Sequence, residues 1–164
     1  MTVPILSVIG KSKSGKTTLL EKLIPEFKRR GYRVATIKHH SHPGFEIDVP
    51  GKDTWRHAQA GSDEVIIAAP DRIASIRKLD RELSLDEIAA GISQVDIILT
   101  EGYKSAGKPA LEVTRAERGQ ELVASQDQLI AVVRDVPLPV NIPQFDLEDA
   151  AGIVDFIAAR LLKS

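Results

Sequence analysis

Gly10, Gly15, Lys16 and Thr17 stand in the stretch GKSKSGKTT at the spacing G-x-x-x-x-G-K-[ST]. The chemistry that spacing serves is the binding of a nucleotide's phosphates. A triphosphate carries several negative charges and is best held by main-chain donors. A loop without Cβ atoms at Gly10 and Gly15 can curl so that successive N–H groups point inward. A helix starting there adds unpaired N–H groups and the positive end of its dipole. Gly10, Ser12, Lys13, Ser14, Gly15, Lys16, Thr17 and Thr18 are therefore the candidate nucleotide ligands. Lys16 should reach the β- and γ-phosphates and is a candidate catalytic residue. The Thr17 hydroxyl should ligate Mg²⁺ bridging those phosphates. Lys11 and Lys13 read as solvated helpers that add positive charge.

Two acids are candidates for the metal side of such a site. Glu101 ends the apolar run VDIILTE, where a buried strand beside the first one would deliver a carboxylate to the Mg²⁺ shell. Asp96 lies at the wrong end of that strand. Asp48 sits in the loop HHSHPGFEIDVPGK, His39 to Lys52. It is read as a Mg²⁺ carboxylate or as the catalytic group that positions water beside the γ-phosphate. Two other readings of this loop stay open: a transition-metal site of His39, His40 and His42, or a solvated lid without ligands. Asp135, after the last central strand, is the candidate reader of the guanine edge. Arg115 and Arg118 could form a lid over a transferred phosphate or belong to a solvated loop. Lys104 and Lys108 could meet an anion or simply face water.

These groups need a scaffold. Val3–Ile9 is apolar and β-branched, and Lys16–Arg30 has helical spacing with Leu19, Leu20, Leu23, Ile24 and Phe27 on one face. Pro25 should kink that helix and Gly31 should stop it. Arg33–Lys38, Val95–Glu101, Ala110–Arg115 and Leu129–Val133 read as strands. Asp63–Ala69 reads as a buried strand and Ile73–Leu79 as a half-exposed edge strand. Asp53 is expected to cap a short helix over Thr54–Ala60, with Trp55 packing rather than stacking on a base. Ser84-Leu85-Asp86-Glu87 is a capping box. Pro137, Pro139 and Pro143 predict a stiff extended connector, and Asp146 a cap for the final amphipathic helix. The expectation is a three-layer α/β fold of the P-loop NTPase kind, with a mostly parallel central sheet, in a single nucleotide-binding domain over 1–164.

Composition narrows the partners. A net charge of −1 offers no global attraction to nucleic acid or anionic membrane. The absence of cysteine excludes thiolate zinc sites and a cysteine nucleophile, and suits a cytoplasmic protein. No apolar run approaches the roughly 20 residues of a membrane helix, and no secretory leader is expected at the N-terminus.

GKSKSGKTTL, IKHHSHPGFEIDVPGKDTWRHAQAG and DIILTEGYK together resemble the molybdopterin-guanine dinucleotide biosynthesis protein B (MobB) family. PGKDT followed by AG, and the EGYK turn, are the specific parts; the phosphate loop is shared far more widely. The resemblance implies a GTP-binding protein with a Mg²⁺-dependent site and at most weak GTPase activity. It also implies a homodimer that assists the guanylyltransferase joining GMP to molybdopterin. On that reading the histidine loop and Lys104 face the molybdopterin cofactor or the transferase. Slow hydrolysis would follow from the lack of a glutamine or arginine finger poised on the water. A small-molecule kinase with Arg115 and Arg118 as its lid, and a nickel-handling GTPase using His39, His40 and His42, are the alternatives.

Overall fold

The computed structural model describes residues 2–162. Six strands form one parallel sheet in the order β2-β5-β1-β6-β7-β8: β1 (Ile5–Ile9), β2 (Val34–Lys38), β5 (Ile97–Glu101), β6 (Ala110–Thr114), β7 (Leu129–Arg134) and β8 (Gln144–Asp146). The strands most enclosed by neighbours are mostly apolar, as both faces of a parallel sheet are covered. Alternate side chains divide between two cores. Leu6, Val8, Ile97, Leu99, Val113 and Val133 meet α1 (Lys16–Arg29) and α4 (Ala150–Leu161). Ile5 and Ile98 meet Leu85 of α3 (Leu85–Ala90) on the opposite face. Leu129 and Val132 meet Leu138 there too. The result is the expected three-layer α/β arrangement.

Pro25 lies inside α1, which runs on to Arg29. Several local expectations change. The proline-rich connector does not stay an isolated extended segment: it delivers β8, whose Gln144 and Phe145 pair with Val132 and Val133. Gln144 donates to the Leu138 carbonyl at 2.8 Å and accepts from its N–H at 2.9 Å, closing the turn between β7 and β8. Asp146 therefore ends a strand, and α4 is capped by Asp149, whose carboxylate accepts from Gly152 N–H at 2.9 Å. The Ser84 capping box forms as read.

The chain divides into two compact units, Met1–His39 with Ser84–Ser164, and His40–Leu83. The second holds α2 (Asp53–Gln59) and a hairpin of β3 (Glu64–Ala69) with β4 (Arg72–Arg77). Lys52, not Asp53, is the N-cap of α2; Asp53 is its first helical residue, an acid at the positive dipole end. β3 and β4 form their own antiparallel sheet, so the buried strand expected at 63–69 is mostly exposed beyond Val65. β4 is exposed along its length. Trp55 lines a small apolar hollow with Phe45, Val65 and Ile76, a packing role. No helix among the described residues is long and apolar enough to cross a membrane.

One buried polar group escaped the sequence reading. Glu112 of β6 is 1% exposed, and its carboxylate accepts from Val123 N–H at 2.7 Å and Ala124 N–H at 2.9 Å. It supplies acceptors to a loop that has no strand to pair with. Glu112→Gln puts an NH₂ against one of those N–H donors and should cost about 1–3 kcal/mol, read as a lower urea midpoint with an unchanged slope.

Candidate functional site

The loop from Gly10 to Gly15 links the tip of β1 to α1, and β1 lies between β5 and β6. Its shape depends on glycine at two points. Gly10 has φ +145°, and a Cβ there would stand 2.4 Å from the Val113 carbonyl oxygen of β6. Gly15, at φ +100°, is the N-cap of α1, and a Cβ there would press on Arg115 at 3.3 Å. Ser14 is buried, and its Oγ has no hydrogen-bond partner among the described residues. An unspent buried hydroxyl beneath a curled loop suits an added ligand oxygen.

Lys16 and Thr17 start α1 and reach in different directions. The Lys16 ammonium donates to the Gly10 carbonyl at 3.1 Å and the Lys11 carbonyl at 2.8 Å. Burial holds its pKa below the usual lysine value; Glu101 opposes that shift and Lys38 adds to it. An incoming anion would relieve the same cost. The Thr17 hydroxyl donates to Glu101 Oε2 at 2.9 Å. Glu101 stands at the C-terminal tip of β5, level with Val8 of β1, as the sequence placed it. Its other oxygen pairs with Lys38 of β2 at 3.3 Å. Lys38 was not foreseen; its place as the last residue of a strand entering the same strand-end surface was the available signal.

The fit to a phosphate chain with its divalent cation rests on the glycine cradle, the half-buried ammonium of Lys16 and a hydroxyl beside a carboxylate. Ser12, Lys13, Gly15, Lys16, Thr17, Thr18 and Glu101 line one cavity of about 440 Å³, joined by Arg115 and Glu117. Polar lining and open shape match an anion rather than an apolar ligand.

The other candidates have partners of their own. Lys11 is not a free solvated helper: its ammonium donates to the Arg118 carbonyl at 3.0 Å, with Glu121 at 3.9 Å. Lys108 pairs with Asp86 at 2.6 Å. Asp135 accepts from Ala116 N–H at 3.0 and 3.3 Å, so it ties the end of β7 to the 3-10 turn Ala116–Arg118. Asp48 lies in the second unit, where its carboxylate accepts from Val49 N–H at 2.8 Å. His39 stacks on Tyr103 with ring centres 4.6 Å apart, while His40 and His42 meet edge to face at 6.1 Å. Among the described residues, no group of three or more His, Asp or Glu side chains is placed to hold a metal ion by itself.

Known proteins resemble this chain in sequence and in fold. Residues 5–135 match the family model described as molybdopterin guanine dinucleotide synthesis protein B. A molybdopterin-guanine dinucleotide biosynthesis adapter protein of Haemophilus influenzae is 39% identical, over 94% of this chain and 88% of its own. The Escherichia coli adapter protein is 36% identical over 98% and 95%. A crystal structure of molybdopterin-guanine biosynthesis protein B superposes with a TM-score of 0.74 at 32% identity, covering 94% of this chain and 98% of that one. Bacillus subtilis MobB gives 0.79 at 26% identity, covering 98% and 99%.

Gly10→Ala should lower stability by about 2–5 kcal/mol, from the collision with Val113 and the positive φ. Gly31→Ala has φ +86° and nothing within 4 Å of the new Cβ, so only the backbone cost remains. Urea unfolding of the two variants side by side measures the difference.

Proposed function

Since this chain belongs to the MobB family, we propose that it binds GTP with Mg²⁺ and acts as an adaptor to the guanylyltransferase that joins GMP to molybdopterin. The names its relatives carry assign the family to molybdopterin-guanine dinucleotide biosynthesis. One observation carries the nucleotide part: Thr17 Oγ1 lies 2.9 Å from Glu101, beside a loop turned at Gly10 and Gly15, where a Cβ would collide or press on its neighbours. In this reading the loop amides and Lys16 hold the phosphates. Thr17 and Glu101 order the shell of a cation that neutralises phosphate charge.

Asp135 reads guanine. A carboxylate offers about four lone-pair sites, so the bond from Ala116 N–H does not exhaust it. The protein works in the cytoplasm as a homodimer, at most a slow GTPase. The second unit supports self-association: Ile66 is 56% and Ile73 71% exposed. By strand register they share the hairpin face opposite Val65 and Ile76. Apolar surface of that kind marks association sites.

Titration with GTP, GDP and ATP, with and without Mg²⁺, tests the nucleotide reading. Lys16→Ala should weaken binding at least tenfold, the scale of one lost charge-assisted contact, about 1.5–3 kcal/mol. Asp135→Ala should erase the preference for GTP over ATP; a retained preference means that guanine is read by another residue. Rapid γ-phosphate transfer to a small acceptor would overturn the adaptor in favour of the kinase. For self-association, sedimentation of Ile66→Lys with Ile73→Lys should give a monomer where the parent protein gives a dimer.

A further inference from the structure

We propose that Arg115 is a built-in ligand of the nucleotide's phosphate chain, gripping it from the side opposite the metal. The proposal rests on the nucleotide reading above and adds a residue that the phosphate-loop motif does not contain.

The sheet order sets the sides. β1 feeds the loop, β5 lies on one flank and brings Glu101, and β6 lies on the other and ends immediately before Arg115. Thr17 turns toward the β5 flank, bonded to Glu101. Arg115 approaches from the β6 flank: its Nε donates to the Ser14 carbonyl at 3.1 Å, and Nε and Nη2 lie 3.3 Å from the position of a Cβ on Gly15. A phosphate chain in this cradle would meet the cation along one edge and a guanidinium along the other.

The side chain is held but not used up. Of the five N–H donors of a guanidinium, one is spent on Ser14 and the terminal nitrogens make no hydrogen bond among the described residues. No described carboxylate forms an ion pair with it, whereas its neighbours Lys11 and Arg118 pair with Glu121 and Glu117. Arg115 is half-buried and shares the cavity with Lys16. The carboxylates of Glu101 and Glu117 line the same cavity, and neither forms an ion pair with Arg115.

The backbone behind it is also pinned. Ala116 N–H is taken by Asp135, Arg118 N–H by the Arg115 carbonyl at 2.8 Å, and the Arg118 carbonyl by Lys11 of the loop itself. A planar fork fixed at Nε, with its two terminal NH₂ groups free, is pre-organised for two oxygens of a phosphate. A role limited to bracing the loop would need only the Nε bond.

The test uses the full-length protein and sodium tripolyphosphate, which has no base or sugar, alongside GTP and GMP. Arg115→Gln can keep a hydrogen bond to Ser14 but loses the charge and the fork. It should weaken tripolyphosphate and GTP roughly 10- to 100-fold, change GMP less, and flatten the salt dependence of GTP binding. Arg115→Lys should recover only part of the loss. In the unaltered protein, the Arg115 Nη–H NMR signals should sharpen and separate when tripolyphosphate is added, a readout that needs no variant to fold. Affinities of Arg115→Gln equal to the parent's, with Lys16→Ala impaired, overturn the inference and leave the nucleotide site standing. A parent protein that binds neither GTP nor tripolyphosphate overturns both.

Discussion

The close approach of the phosphate loop to the neighbouring strand is the constraint on which the rest of this structure depends. With β1 enclosed between β5 and β6, the chain leaving β1 must turn against the Val113 carbonyl, and only a residue without Cβ fits at Gly10. Once that turn is made, Ser14 is buried, Gly15 starts α1, and Lys16 and Thr17 emerge at the strand ends. The core enforces the geometry: Leu19, Leu20, Leu23 and Phe27 hold α1 against the sheet, so its first turn has little freedom. Burial of these side chains, at roughly 1.5–3 kcal/mol each, positions the two polar residues that begin the helix.

Strand ends then gather the charges. Parallel pairing brings the C-terminal tips of β1, β2, β5 and β6 to one edge of the sheet, where ligands of open α/β sheets bind. Glu101 is shared between Thr17 and Lys38, linking the end of β5 to the first turn of α1 and to the end of β2. No single motif encodes that cluster; it exists because β2 and β5 end level with the start of α1.

The parts of this architecture that were legible in the sequence are those written in local chemistry. The glycine loop, the acid ending VDIILTE and the Ser84 capping box each state their place in the fold within a few residues. What depends on distant pairing was harder to read. β8 is short and follows three prolines, and only its register with β7 makes it a strand. The hairpin at 64–77 carries the apolar residues of a buried strand, yet it leaves Ile66, Ile67 and Ile73 exposed. Residue type alone does not tell burial in a core from exposure on an apolar surface. Glu112 and Arg115 show the same limit for polar groups: an acid inside an apolar strand and an arginine at its end reveal their partners only when the loops fold over them.

Lys16 has a bearing on how fast a ligand can come and go. Its ammonium is already satisfied by two main-chain oxygens of its own loop. A polyanion bound there would trade one set of oxygen acceptors for another, on a loop that is already folded. Much of the ordering cost of such binding would then be met when the chain folds, so that capture would be quick and residence time would follow from the contacts made with the ligand.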